Sequence, residues 1–223
     1  MKLTHTLYEP AGSGPHPTLV VLHGYGANAN DLIALAPYLG GGAMQMICPQ
    51  GPLTVPIGPG MSGFGWFPLT GGGQLFDGDA IARTADEVRA FLAEAERRYA
   101  IDPRKLVLGG FSQGGVLAYL IALEEPTRFA GLVALSSWLP PPLVQTLKPN
   151  ADRRQLPTLV QHGSRDEVIN VARARQSVES LRELGVPLTY REHDMGHEID
   201  AASLATLVEW LDEKVLSPVL TLR

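Results

Sequence analysis

The chain has little cysteine, no long uninterrupted apolar run and no excess of positive charge. Its single cysteine, Cys48, cannot form an internal disulfide, so we expect a buried thiol in the core. No Cys-x-x-Cys pair or Cys/His cluster has the spacing of metal ligands, so the sequence predicts neither a metal nor another cofactor. The 23 acidic and 18 basic residues give a net charge of −5, which argues against nucleic acid as a partner.

Two further absences concern membranes and secretion. Nowhere do ~18 apolar residues follow one another, so the sequence predicts no membrane-spanning helix and no stable membrane insertion. Residues 1–8 lack the apolar segment of a secretory signal and instead have the pattern of an edge strand. We therefore expect a cytoplasmic protein.

The 223 residues suffice for one α/β domain that buries ~70% of the surface of its unfolded chain. Short apolar runs alternate with amphipathic segments, of which residues 78–99 form the clearest predicted helix. The main expected strands are 17–24, 44–49, 106–111, 129–136, 157–163 and 188–192. This alternation predicts a single domain over residues 1–223, with a doubly wound, mostly parallel sheet, helices on both faces and no large cap domain.

Two segments fall outside this regular alternation. Residues 50–76 contain many glycines and prolines together with large apolar side chains. A connection of this length without secondary structure is usually functional or disordered, and its aromatic content argues against disorder. We expect 50–76 to be a loop that shapes a pocket, and 218–223 to be a tail.

The segment Leu106–Leu123 carries the strongest chemical signal. It places Gly110-Phe111-Ser112-Gln113-Gly114 between an apolar strand and an apolar helix, which is the context that a G-x-S-x-G nucleophile turn requires. Asp102-Pro103 is expected to break the chain before this strand. Glycines flank the serine where side chains would collide, so Ser112 must hold a strained backbone next to a helix N-terminus. An ordinary Gly/Ser turn is the alternative to a nucleophile at Ser112.

A serine hydroxyl becomes a good nucleophile when a base takes its proton, and histidine suits this role near neutral pH. The base should follow a strand, because ligands gather at the C-terminal ends of the strands in open α/β sheets. His197 meets this condition in the loop after the last strand, and His193 at the end of that strand stays open as a second candidate. The other histidines are expected at the surface (His5 and His16) or in hydrogen bonds that shape turns (His23 and His162).

An acid must orient the imidazole and stabilise its charge. Asp166 directly follows a predicted strand and gives the chain order Ser112, Asp166, His197. A turn aspartate is the alternative, and either Glu167 or Asp194 could take its place as the acid.

The negative oxygen that forms during acyl transfer needs two N–H donors. The residue after the nucleophile, Gln113, is expected to supply one backbone N–H. Tyr25 is expected to supply the other, because Gly24 and Gly26 allow its backbone to approach closely.

Six segments spread in order over most of the chain resemble the small carboxylesterases of the acyl-protein thioesterase and lysophospholipase family. They are Leu22-His-Gly-Tyr-Gly, Ile47-Cys-Pro, Gly109-Gly-Phe-Ser-Gln-Gly-Gly, Leu135-Ser-Ser-Trp-Leu-Pro, His162-Gly-Ser-Arg-Asp-Glu-Val and Gly196-His. The resemblance implies an α/β-hydrolase fold, the triad Ser112, Asp166 and His197, and an acyl pocket lined by Trp138 and the 50–76 loop. The glycine-rich stretch 56–65 departs most from that family, as does the tyrosine at position 25, where an aliphatic residue is more usual.

These observations together predict a serine carboxylesterase that hydrolyses short- to medium-chain esters, small molecules, through an acyl-serine intermediate. Apolar binding for the acyl chain is expected from Trp66, Phe67, Trp138 and Leu139, for each of which an ordinary place in the core is the alternative. Alternative activities are those of an acyl-protein thioesterase, a lysophospholipase or a peptidase, and a non-catalytic binding protein on the same fold remains a further alternative. A homodimer formed through exposed apolar loops also stays open.

Overall fold

The computed structural model describes residues 2–69 and 77–217. Nine strands are described: β1 (His5–Tyr8), β2 (His16–Leu22), β3 (Gln45–Pro49), β4 (Leu53–Gly58), β5 (Met61–Gly65), β6 (Ile101–Phe111), β7 (Gly131–Leu135), β8 (Thr158–Gly163) and β9 (Leu188–His193). The α-helices in the same ranges are α1 (Gly78–Arg98), α2 (Gln113–Glu124), α3 (Pro141–Thr146), α4 (Val171–Glu183) and α5 (Ala201–Leu211). Short 3-10 segments cover Ile33–Gly42, Pro126–Arg128 and Ala151–Gln155, and a π turn covers Asp212–Leu216.

Seven strands form the central sheet in the order β1-β3-β2-β6-β7-β8-β9. Strand β1 pairs antiparallel with β3, and every other neighbouring pair in this sheet is parallel. The C-terminal ends of β2, β6, β8 and β9 therefore point to one edge, where binding sites of open α/β sheets lie. This mostly parallel sheet confirms the fold class predicted from the alternation of apolar and amphipathic segments.

Residues of successive strand positions pack into two different core layers. Val20, Leu108 and Val160 belong to the layer that includes α1, α2 and α4. Their strand neighbours, such as Val107 and Leu159, pack on the opposite side of the sheet against α5 and the 3-10 segment Ile33–Gly42. Both faces of the sheet are thus covered, which explains why its strands are continuous apolar runs. Cys48 is a buried free thiol, as expected, and burial raises its pKa to about 12.

The sequence predicted a break at Asp102-Pro103 before the strand that leads to Ser112, but both residues lie inside that strand. Strand β6 begins at Ile101, which pairs with His16, and the register then shifts so that Thr18 pairs with Leu106. Residues between these two pairs form an irregularity in which the Asp102 carboxylate accepts a hydrogen bond from the Arg104 N–H at 3.0 Å. Proline is tolerated in a strand at such a bulge because no ladder hydrogen bond is needed there.

Part of the 50–76 segment is regular, which corrects its prediction as a loop without secondary structure. Strands β4 and β5 form an antiparallel hairpin. The hairpin is joined to the loop after β2, because Gly26 N–H donates to the Phe64 carbonyl and Phe64 N–H donates to the Ala27 carbonyl, both at 2.8 Å. Sequence periodicity gave no strand signal here because glycine and proline break up the β pattern. Residues 70–76 of the predicted loop and the predicted tail at 218–223 lie outside the described residues.

Candidate active site

Ser112 is the single residue between the end of β6 and the start of α2. Its backbone has φ 53° and ψ −120°, a conformation that costs about 1–3 kcal/mol and clusters at functional sites. A Cβ on Gly110 would collide with the Gly114 backbone, and one on Gly114 would collide with the Leu22 carbonyl. The two glycines are therefore required by the close approach of β6, α2 and the end of β2, and this packing holds the serine in place.

His197 lies in the loop between β9 and α5, and its ring joins the serine to an acid. Its Nε2 is 3.0 Å from the Ser112 Oγ, and its Nδ1 is 2.7 Å from the Asp166 Oδ2. Since a carboxylate can only accept, the Nδ1 carries the proton and the Nε2 is left as the acceptor for the serine hydroxyl. The Phe111 ring, 4.8 Å from the imidazole centroid, packs against the histidine. His197 rather than His193 thus makes the contact with the serine.

The Asp166 carboxylate is fully buried and each of its oxygens is occupied. Oδ1 accepts the backbone N–H groups of Val168 at 2.9 Å and Ile169 at 2.8 Å, while Oδ2 faces His197. These bonds fix the carboxylate in the turn that follows β8. The two alternative acids are exposed, and Asp194 pairs instead with Arg165 at 2.7 Å. Among the described residues, Asp166 is the acid that accepts the hydrogen bond of the His197 Nδ1–H.

The loop after β2 passes directly beside the serine. A Cβ added to Gly24 would lie 3.3 Å from the Ser112 Cβ, so the backbone leading into Tyr25 is close to the hydroxyl. His23 holds this loop from below: its Nδ1 is 2.7 Å from the Gly24 carbonyl, and its Nε2 accepts the Gly51 N–H at 3.0 Å. Burial lowers the pKa of His23, consistent with a neutral ring that donates through Nδ1 and accepts through Nε2.

Gln113 contributes to the site in two ways, of which the sequence predicted one. As the first residue of α2, it has a backbone N–H with no acceptor inside the helix. Its buried side chain, which the sequence did not single out, accepts the Trp66 N–H at 2.9 Å and donates to the Phe67 carbonyl at 2.7 Å. The chain after β5 is thereby tied to the nucleophile turn.

Ser137 is a second residue that sequence reasoning missed. Its Oγ donates to the Ser112 carbonyl at 2.7 Å, and it fills the space next to Gly115, where a Cβ would collide with it. Its position after a strand is the one signal in the sequence that could have identified it. The hydroxyl pins the backbone of the nucleophile turn without reaching the Ser112 hydroxyl itself.

A cleft of about 760 Å³ opens in front of the serine. Its lining comes from the segments that follow β2, β5, β6, β7, β8 and β9 and from the start of α4: Tyr25, Leu69, Ser112, Gln113, Trp138, Glu167, Val168, Ile169, Asn170, Arg173 and His197. The structure therefore brings the five residues predicted for the triad and the oxyanion donors to one place, with Asp166 buried behind the histidine. This arrangement can transfer a proton from the serine to the histidine, and it can place two backbone N–H donors at one carbonyl oxygen.

Three of the four predicted acyl-binding side chains do not reach this cleft. Trp66, Phe67 and Leu139 are only 1%, 3% and 2% exposed and belong to the core, so their predicted place in the pocket is corrected. The Trp66 indole N–H donates to the His23 carbonyl at 2.8 Å, which turns the ring inward. Trp138 does line the cleft. Composition could not separate these cases, because aromatic side chains suit a core and a pocket equally well.

Three further histidines, His162, His16 and His5, lie in strand, turn or helix contacts outside the Ser112–His197–Asp166 chain. The His162 Nε2 is 2.7 Å from the Ile169 carbonyl and 3.2 Å from the Asp166 Oδ2, so it shapes the turn as predicted and also contacts the acid. His16 was expected at the surface, but it is buried where β2 pairs with the start of β6. His5 is half-buried and its Nε2 lies 2.6 Å from the Tyr99 hydroxyl. Both expectations failed because long-range strand and helix packing covers these positions.

Two kinds of feature are absent from the described residues. Within residues 2–69 and 77–217, no group of three or more His, Cys, Asp or Glu side chains is placed to hold a metal ion. In the same part of the chain, no helix has both the length and the apolar character needed to cross a membrane.

The parallel sheet, the helices on both of its faces and the strained turn at the end of β6 define an α/β-hydrolase. The chain belongs to the phospholipase/carboxylesterase family, whose model matches residues 5–215. It is 28% identical over 207 residues to acyl-protein thioesterase 1 of Gibberella zeae, covering 86% of this chain and 87% of that protein.

Solved structures agree with this assignment. Esterase PE8 is 27% identical and superposes with a TM-score of 0.76, over 96% of this chain and 100% of its own. The Bacillus cereus carboxylesterase, 20% identical, has a TM-score of 0.80 over 96% of this chain and 95% of its own, which shows the shared fold. The family resemblance read from the six sequence segments is thus confirmed.

Proposed function

We propose that this hydrolase is a serine hydrolase that cleaves carboxylic esters through an acyl-Ser112 intermediate. The observation that carries the proposal is the continuous hydrogen-bonded chain Ser112–His197–Asp166 at a strained turn. A buried acid, a histidine of fixed tautomer and a serine hydroxyl at 3.0 Å have the geometry expected of an activated nucleophile.

Acylation begins when the Ser112 Oγ attacks the ester carbonyl carbon and its proton moves to the His197 Nε2. The carbonyl π electrons move onto oxygen, and the backbone N–H groups of Gln113 and Tyr25 donate to that oxyanion. The oxyanion collapses, the C–O bond to the alcohol breaks, and the His197 Nε2–H protonates the leaving oxygen. Asp166 keeps the Nδ1 proton in place and stabilises the imidazolium throughout.

Deacylation repeats these steps with water as the nucleophile. His197 takes a proton from the water while its oxygen attacks the acyl carbon, and the same two N–H donors bind the second oxyanion. The Ser112 Oγ then leaves and recovers its proton from the histidine, which releases the carboxylic acid. The positive end of α2, which begins at Gln113, favours the negative oxygen in both halves of the reaction.

For the substrate, we propose short- to medium-chain esters as one candidate and long-chain acyl thioesters as the other. The polar side chains of Glu167, Asn170 and Arg173 in the cleft favour the first candidate, because they interrupt the apolar wall that a long acyl chain needs. The name of the Gibberella zeae relative, acyl-protein thioesterase 1, favours the second. Both use the same mechanism and differ in the pocket.

A substrate panel tests the mechanism and the substrate together. Hydrolysis would be measured for p-nitrophenyl esters with acyl chains of two to sixteen carbons, a palmitoyl thioester and a lysophospholipid. We expect Ser112→Ala to lose nearly all turnover with an unchanged circular dichroism spectrum, whereas Ser164→Ala, an exposed serine outside the cleft lining, should match the parent chain. Retained activity in Ser112→Ala would refute the nucleophile assignment.

The profile across the panel separates the two candidates. Highest kcat/KM at short chains supports the carboxylesterase, and a preference for the palmitoyl thioester supports the thioesterase. Turnover of the lysophospholipid above both would point to that alternative instead. No hydrolysis of any substrate by the parent chain would contradict the proposed function and favour a non-catalytic binding protein.

A further inference from the structure

One cation in the cleft has no acidic partner in the part of the chain that the structure describes. Arg173 lies in the first turn of α4 and lines the cleft together with Ser112 and His197. Its guanidinium carbon is 5.7 Å from the centroid of the Trp138 ring, a cation–π contact. Among the described residues, no carboxylate lies within ion-pair distance of this guanidinium. Arg175, two residues along the same helix, pairs instead with both carboxylate oxygens of Glu192 at 2.8 Å.

The contact with Trp138 orients the guanidinium without using its N–H groups. An arginine held against an aromatic ring keeps its donor edge available, and that planar edge matches the two oxygens of a carboxylate. Asn170, also in the cleft lining, caps the same helix by accepting the Ala172 N–H at 2.9 Å through its Oδ1. The positive end of a 13-residue helix therefore adds to the charge of Arg173 at this wall.

Glu167 limits the kind of anion that this wall can accept. It is exposed, lines the same cleft and carries the opposite charge. With Arg173 and Glu167 side by side, this wall lacks the excess positive charge that binding a doubly charged phosphate requires, and a singly charged group fits it better. The cleft thus has the charge pattern of a site for an ester that bears one additional carboxylate.

We propose that Arg173, positioned by Trp138, is a specificity-determining residue that binds a carboxylate on the substrate at a distance from the scissile ester. The inference rests on the proposed function, since it describes the substrate of the same site. It distinguishes the chain from an esterase that selects its substrates by acyl length alone. The carboxylate can belong to the acyl part or to the alcohol part, and the test addresses each.

Matched substrate pairs measure this preference. On the acyl side, p-nitrophenyl hydrogen adipate is compared with p-nitrophenyl hexanoate, which has the same number of acyl carbons and no charge. On the alcohol side, 3-butyryloxybenzoate is compared with 3-butyryloxybenzamide. The measured quantity is the ratio of kcat/KM for the charged ester to kcat/KM for its neutral partner, at low and at high salt.

Three variants make the outcome specific. We expect Arg173→Gln to lower this ratio by about tenfold for at least one pair, with most of the change in KM. Glu167→Gln should raise the ratio for that pair, because it removes a repulsive charge. Arg182→Gln, on the outer part of the same helix and paired with Glu179, removes one positive charge outside the cleft and should leave the ratio unchanged. The preference of the parent chain should weaken at high salt.

Equal ratios in the parent chain and Arg173→Gln for both pairs would overturn the inference while neutral esters are still hydrolysed. A drop in the ratio of the same size in Arg182→Gln would also overturn it, because the effect would then come from net charge. Failure of the parent chain to hydrolyse p-nitrophenyl hexanoate would contradict the proposed function itself.

Discussion

The Asp166 Oδ2 lies 2.7 Å from the His197 Nδ1, while the Asp166 Oδ1 accepts two backbone N–H groups of its own turn. The two residues are 31 positions apart in the chain and come from the ends of β8 and β9, which are neighbours in the sheet. Their contact is therefore a direct result of strand order. It fixes both the orientation and the tautomer of the imidazole that faces Ser112.

Replacing Asp166 by Asn tests this relationship. The amide oxygen can still accept the N–H groups of Val168 and Ile169, so we expect the turn to survive. The amide nitrogen would face the His197 Nδ1 as a donor and favour the wrong tautomer, so kcat should fall by about 10³- to 10⁴-fold, the size of the effect that the same substitution has in serine proteases. Steady-state kinetics with a short p-nitrophenyl ester, beside a thermal melt, would measure both effects.

Asp194→Asn is the matched control for that variant. Asp194 is an exposed carboxylate three residues before the histidine, and its partner is Arg165. We expect its loss to change kcat little. A collapse of activity in Asp194→Asn, with Asp166→Asn active, would reverse the assignment of the acid.

Gly110→Ala should destabilise the fold at the nucleophile turn. The new methyl group would collide with the backbone of Gly114 and Gly115, which cannot move without separating β6 from α2. Overpacking of this kind typically costs about 1–3 kcal/mol, and the rigid backbone here places the cost at the upper end. Gly78→Ala is the comparison: that position has open space at the start of α1, so alanine should be neutral or stabilising. Urea unfolding of both variants would decide, and equal stabilities would show that the turn can relax.

Gln113→Leu should weaken the attachment of the segment after β5. The substitution keeps the volume but leaves the Trp66 N–H and the Phe67 carbonyl buried without partners, which costs about 1–3 kcal/mol for each group. The free energy of unfolding should fall accordingly in a urea titration. Gln176→Leu, at an exposed position of α4, should stay within about 0.5 kcal/mol of the parent chain. An unchanged stability in Gln113→Leu would mean that water replaces the lost contacts.

His23 should make the stability of the protein depend on pH. Burial lowers its pKa in the folded state, so below its unfolded pKa of about 6.5 the unfolded chain binds a proton that the folded chain excludes. The contribution of neutral His23 is complete above that value and is lost as the pH falls below it, with a slope of at most about 1.4 kcal/mol per pH unit. His23→Gln lacks this titration, so the difference in unfolding free energy between the two proteins should shrink from pH 7.5 to pH 5.5. A constant difference over this range would exclude His23 as the source.

The sequence alone determined the fold class, the family and the serine, acid and histidine that the structure brings within hydrogen-bond distance of one another. These features are local: a G-x-S-x-G turn between an apolar strand and an apolar helix, and polar residues that directly follow strands. In a parallel sheet the strand ends meet at one edge, so Ser112, Asp166 and His197 had to approach one another once the strands were recognised.

Tertiary structure alone decided which side chains face the cleft. Trp66 and Trp138 are the same residue type, and both lie in a segment that follows a strand. The indole N–H of Trp66 donates to the His23 carbonyl in the core, whereas Trp138 lies in the cleft against Arg173. The hairpin β4–β5, the burial of His16 and the cation in the cleft likewise depend on contacts between residues far apart in the chain. Local sequence patterns indicate which residues favour burial or a turn. A pocket, in contrast, forms where side chains from distant parts of the chain leave a space between them.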